Sequence, residues 1–124
     1  MKPRVRQIDQ QYDDGLIKVY REEEVSEPGG YENIQLVSKY ANIRYQNRTV
    51  GYNRFLQGRQ VDMEINRLLR IPKLPDIQTF DIVETENGDQ FRIEQVQEPR
   101  EVYPASLDLS LSVVKQRIEV VPDD

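Results

Sequence analysis

The chain has 124 residues, 22 acidic against 17 basic side chains, a formal net charge of −5, and neither cysteine nor histidine. That length supports one domain with a modest core. The missing residue types exclude disulfides, thiolate metal sites, Cys nucleophiles and every Ser-His or Cys-His device.

Residues 1–14 are polar and without periodicity, and read as a flexible N-terminal arm. The basic start Met1-Lys2-Pro3-Arg4-Val5-Arg6 precedes no apolar stretch, so no secretory signal is expected there. No apolar run is long enough to predict a membrane-spanning helix, and synthesis in the cytoplasm is expected. From residue 15 to 121 the pattern predicts a single β-barrel domain, followed by a short tail at 122–124.

The first strand starts at Gly15, with Ile17 and Val19 on one face and Lys18 and Tyr20 on the other. Residues 22–38 contain Glu22-Glu23-Glu24 and then Pro28-Gly29-Gly30, which predicts a long loop or hairpin tip between early strands. Alternation returns from Lys39 to Tyr45, placing Ala41, Ile43 and Tyr45 on one face. Over 49–58 the spacing of Tyr52, Phe55 and Leu56 is helical, with Thr49 as N-cap and Gly58 as stop, so one short helix is expected. Val61, Met63 and Ile65 return to period two. The prolines after Ile71 and Leu74 end that strand.

Asn87-Gly88 between two alternating runs predicts a two-residue type I′ hairpin. That turn pairs Ile82 with Ile93 and Glu84 with Phe91, and buries Phe80, Ile82, Phe91 and Ile93 together. A last long run spans Leu107 to Val121. Its apolar parity flips at Val113-Val114, which requires a bulge or bend. The expected fold is mostly β: a small antiparallel barrel or sandwich of five to six strands with one short helix.

Charge is segregated along the chain. Residues 1–60 hold 10 bases and 8 acids, a balance of +2, whereas residues 61–124 hold 7 bases and 14 acids, a balance of −7. No acid occurs between Asn33 and Val61, where Lys39, Arg44, Arg48, Arg54 and Arg59 stand among Tyr40, Tyr45, Tyr52 and Phe55. Two faces meeting two different surfaces would explain this. One reading is a small OB-like barrel that binds single-stranded nucleic acid through residues 39–60, with arginines on phosphates and rings under bases. The overall acidity weighs against it.

Catalytic patterns are missing from the sequence. Glu22-Glu23-Glu24 reads as a solvated charge run, and Asp62 with Glu64 as the outer face of a strand. Glu86-Asn87-Gly88-Asp89 lacks the ligand spacing of a calcium loop. There is no phosphate-cradling glycine motif and no nucleophile elbow. No catalytic residue, metal or cofactor is expected.

The order Lys39-Tyr40-Ala41-Asn42-Ile43, Arg48-Thr49-Val50-Gly51, Val61-Asp62-Met63-Glu64-Ile65, Arg70-Ile71-Pro72, the Asn87 to Gln97 hairpin and Leu107-Asp108-Leu109-Ser110-Leu111 carries a resemblance. Across residues 15–112 it resembles the small head-closure, or head–tail joining, proteins of long-tailed bacteriophages and related prophages. The resemblance implies a structural virion protein at the head–tail interface, present in the host cytoplasm before assembly. It implies a homo-oligomeric ring under the portal vertex, with a portal or adaptor protein on the head side and a tail terminator or tail-completion protein on the tail side. Packaged DNA would pass through the channel without sequence-specific binding. Independently of the resemblance, the reach of a long loop and the pairing of charge with large rings in the basic segment make Tyr31, Arg48, Tyr52, Arg54 and Arg59 the expected interface residues.

Overall fold

The computed structural model describes residues 8–26, 32–48 and 65–121. Among them are eight strands: β1 (Ile8–Asp9), β2 (Gly15–Ser26), β3 (Glu32–Arg48), β4 (Arg67–Pro72), β5 (Ile82–Thr85), β6 (Gln90–Gln97), β7 (Val102–Tyr103) and β8 (Ser106–Val113). Six form one antiparallel sheet that closes in a ring, in the order β2-β3-β4-β8-β6-β5. The closing pair joins β2 to β5, from Ile17 opposite Thr85 to Tyr20 opposite Ile82. The mostly β, antiparallel architecture expected from the periodicity is the one observed. No helix occurs among the described residues, and the expected helix at 49–58 lies outside them, as do Val61 and Met63.

Period-two alternation fills the ring. Ile17, Val19, Ile43, Tyr45, Leu69, Ile71, Val83, Phe91, Ile93, Leu107, Leu109 and Leu111 point into one core. Each such side chain contributes about 1.5–3 kcal/mol by leaving water. β4 and β8 are buried on both faces, which is why their sequences do not alternate cleanly. Their outer face is covered by the N-terminal segment. There Arg70 and Asp108, 5% and 6% exposed, form a bidentate ion pair of 2.7 and 3.0 Å. Gln10 accepts a third bond from Arg70 at 2.9 Å, and the Tyr12 and Ser106 hydroxyls share one of 2.5 Å.

That covering corrects the flexible arm for residues 8–14; residues 1–7 lie outside the described residues. From Ile8 onward the segment is seated: β1 pairs in parallel with β7, and the Gln10 N–H donates to Tyr103 O at 2.7 Å. Its polar composition reflects a polar partner, the Arg70–Asp108 pair, rather than an absence of contacts.

Of the loop or hairpin tip expected over 22–38, the hairpin is the one observed. β2 and β3 run on as a paired ribbon, from Glu22 opposite Leu36 to Ser26 opposite Glu32, and leave only 27–31 between them. β3 carries two extra residues against β2, one between Ile43 and Tyr40 and one between Tyr40 and Ser38. Asn42 sits in the first bulge at φ 58°, a conformation that asparagine tolerates. The bulge turns Ala41 to solvent while Ile43 and Tyr45 stay inside.

The β5–β6 hairpin differs from expectation by one residue. Its register is Ile82 opposite Arg92, Val83 opposite Phe91 and Glu84 opposite Gln90. Gly88 N–H donates to Thr85 O at 2.9 Å, and Thr85 N–H to Asp89 O at 3.0 Å, which closes a three-residue loop. Gly88 has φ 86° but Asn87 is not in the left-handed region, so a type I turn with a bulge replaces type I′. One added residue exchanges the faces of the strand. Val83 therefore joins Phe91 and Ile93 inside, and Ile82 packs outside with Tyr20 and Leu36.

Phe80 is expelled by a further bulge. Ile93 bonds both Phe80 N–H, at 2.7 Å, and Asp81 O, at 2.8 Å. Phe80 takes φ 71° and is 65% exposed. A bulky residue in that region carries a backbone cost of about 1–2 kcal/mol, which asparagine largely avoids. Phe80→Asn is expected to raise the urea midpoint, with a gain of about 0.5–1 kcal/mol in unfolding free energy. A loss of stability would show that the exposed ring makes contacts worth more than its strain.

The last run is not one strand. β8 ends at Val113, the chain bends at Lys115 and Gln116, and Val120 then forms a parallel bridge with Leu36. Val114, Ile118 and Val120 pack on Tyr20, Leu36 and Ile82. The parity flip marks this passage from the inner core to a second, external one.

Candidate assembly interface

The ribbon formed by β2 and β3 is the feature that the ring does not require. β2 has 12 residues and β3 has 17, against 4 to 8 for the other strands of the ring. β5 pairs with β2 only as far as Tyr20, and β4 pairs with β3 only over Gln46 to Arg48. Past Leu36 the ribbon runs beyond both neighbouring strands. Glu23 and Glu24 are exposed there, and Ile34 is 52% exposed. A two-stranded hairpin is marginal alone in water, so its order depends on what it touches. At its root Glu22 accepts from Arg92 at 2.8 Å, while the exposed Arg21–Glu23 pair at 3.5 Å adds little.

Of the expected interface residues, Arg48 is described: it ends β3, opposite Leu68, and is exposed. Tyr31, Tyr52, Arg54 and Arg59 lie outside the described residues. Arg44, also exposed, lines a shallow depression with Tyr12, Asp13, Gly15 and Leu16.

Other members of the acid-free segment are already engaged within the chain. Lys39, its side chain 10% exposed, reaches Asp81 Oδ2 at 2.8 Å and Asp76 O at 2.6 Å. Asp81 also accepts the Gln78 N–H at 2.9 Å, so this pair clamps β3 to the 76–81 loop. Tyr40 donates its hydroxyl to Pro75 O at 2.6 Å. Tyr45 is buried, and the Arg67 guanidinium lies 5.5 Å from its ring centroid and 5.6 Å from that of Phe91. These contacts cap one part of the core with a charge, each worth about 0.5–2 kcal/mol. Part of the missing acidity is thus supplied from residues 76–81 of the same molecule.

Sequence reasoning missed the Arg70–Asp108 pair, the Lys39–Asp81 clamp and the docking of the C-terminal segment. Asp108 between Leu107 and Leu109 was the available signal: a charge amid an apolar run needs a partner, and Arg70 breaks a similar run. Among the described residues no group of three or more acidic side chains is arranged to hold a metal ion. Asp62 and Glu64 lie outside them. Also among the described residues, no helix is long and apolar enough to cross a membrane.

Neither protein-family models nor curated protein sequences match the chain.

Proposed function

We propose that this protein is a non-catalytic structural subunit of a homo-oligomeric ring, of the kind that closes a bacteriophage head and joins it to the tail. The observation that carries the reading is the β2–β3 ribbon, which runs past its neighbouring strands with an acidic, partly apolar end. An arm of this kind gains stabilising contacts when it packs against another subunit. The segregated charge supports it, because a basic face on one copy and an acidic face on the next generate head-to-tail contacts that close into rings. The portal-side and tail-side partners, and DNA passing through the channel, follow from the resemblance in residues 15–112.

Single-strand binding gains less support. Tyr40 is tethered to Pro75 and Tyr45 is buried, so neither described ring of the basic segment is free to stack on a base. Fluorescence anisotropy with single-stranded DNA at two salt concentrations separates the readings. Negligible binding at physiological salt is expected, and submicromolar affinity would favour the nucleic-acid reading.

Charge reversal tests the interface. Arg54→Glu with Arg59→Glu is expected to leave a folded monomer that no longer joins heads to tails in a complementation assay. Asn87→Ala, in the tight hairpin, is expected to leave joining intact. Normal joining by the double reversal would remove the basic segment from the interface.

A further inference from the structure

The second hydrophobic cluster lies outside the ring, and its cover is a separate piece of chain. Tyr20, Leu36 and Ile82 form its floor, at 4%, 0% and 0% exposure, and the C-terminal segment supplies Ile118 and Val120 above them. Leu36 turns both backbone groups toward that segment: its N–H donates to Glu119 O and its carbonyl accepts from Val121 N–H, both at 2.9 Å. Gln90, 5% exposed, holds the same segment from the other side. Its Oε1 accepts the Ile118 N–H at 2.8 Å and its Nε2 donates to Ile118 O at 2.9 Å.

These features amount to a groove for an extended strand. A sheet edge supplies backbone bonds, an apolar floor takes alternate side chains, and a buried amide reads the main chain. Lys115, Gln116 and Arg117 are exposed and connect the groove's occupant to the end of β8. Every contact of the strand is with groups that a second copy also possesses. Exchange between copies therefore preserves the contacts and changes only which molecule supplies the strand. In a dilute monomer the short link keeps the strand at home through its high effective concentration. The same cis strand blunts the β3 edge, which would otherwise pair indiscriminately.

We propose that Ile118–Val121 is an exchangeable strand, which in the assembled state occupies the Leu36–Gln90 groove of a second copy of this chain. The inference rests on the ring-forming reading above, and adds to it a specific joint between neighbouring subunits.

The cysteine-free sequence makes the joint testable by disulfide trapping. Leu36 and Val120 are bridge partners, so Leu36→Cys and Val120→Cys are made in separate chains, one isotope-labelled, then mixed under assembly conditions and oxidised. Exchange is expected to give a covalent dimer containing one chain of each kind, identified by mass and absent from either variant alone. A second variant leaves the cluster intact: deletion of Lys115 and Gln116 makes closure within one chain too short. It is expected to double the mass in solution, or raise it further, by light scattering. Ordinary association without the mixed disulfide, and a monomeric deletion variant, would overturn exchange and leave the ring reading standing. Absence of both disulfide and association would overturn both. Mixed disulfides in a species that stops at the dimer would support exchange and count against a ring.

Discussion

Asp108→Ala is expected to destabilise the protein by about 3–5 kcal/mol, because it leaves the Arg70 guanidinium buried without its counter-charge. Arg70 is 5% exposed, and with Asp108 gone its remaining side-chain bond is to Gln10 at 2.9 Å. A small domain holds about 5–15 kcal/mol in total, so the loss approaches the whole margin at the lower end. Urea unfolding followed by circular dichroism measures it. The diagnostic companion is Arg70→Met with Asp108→Leu. Removing both charges in favour of packed apolar groups is expected to recover most of the loss, because neither ion is then left unpaired. A single variant that costs less than about 1 kcal/mol would mean that water reaches Arg70 when the N-terminal segment shifts.

Leu109→Ala is the second large effect. Leu109 is fully buried in β8, between Leu69 of β4 and Val96 of β6, so the ring around it cannot collapse into the space. The expected cost is about 3–5 kcal/mol, transfer and cavity terms together. Leu36→Ala removes the same atoms from an equally buried position but is expected to cost less, about 2 kcal/mol, at the low end of such substitutions. Its cover is a terminal segment that can settle or lift without opening the ring. Limited proteolysis should separate the two. Leu36→Ala is expected to speed cleavage within 115–121 while the ring remains folded, and Leu109→Ala to speed cleavage throughout. Equal costs and equal cleavage patterns would mean that the external cluster unfolds only with the rest.

The strands were legible because their inner faces obey period two, and the identity of the core followed from the same residues. Ile17, Val19, Ile43, Tyr45, Phe91, Ile93, Leu107, Leu109 and Leu111 are all buried. Single-residue irregularities were not legible. Asn87-Gly88 fits either a two-residue or a three-residue hairpin, and the choice between them exchanges Ile82 for Val83. Phe80 is apolar, yet a bulge opposite Ile93 puts it in solvent, and nothing local in the sequence marks a bulge there. Glu94 adds another in β6, where Ile93 and Gln95 face the adjacent residues Leu111 and Ser110. The long ribbon fitted a loop as well as a hairpin, because its glutamates look solvated; Glu23 and Glu24 are exposed, but on a strand. For the interface, segregated charge was visible, but partners distant in sequence, such as Asp81 for Lys39, depend on the closed topology.

The way the ring closes bears on how the chain reaches this state. β1 is seated only when β7 exists, with Ile8 opposite Val102, and β2 gains its second neighbour only with Ile82 to Thr85. A chain emerging from the ribosome therefore leaves the apolar residues of β2 and β3 uncovered, at most as a marginal hairpin, until the second half of the molecule arrives. Pairings of such long sequence separation are slow to form, because loop closure is paid before the contacts reward it. Refolding is expected on the millisecond-to-second scale typical of β-topologies, with the N-terminal strand docking late and the nascent hairpin as the stage most exposed to aggregation.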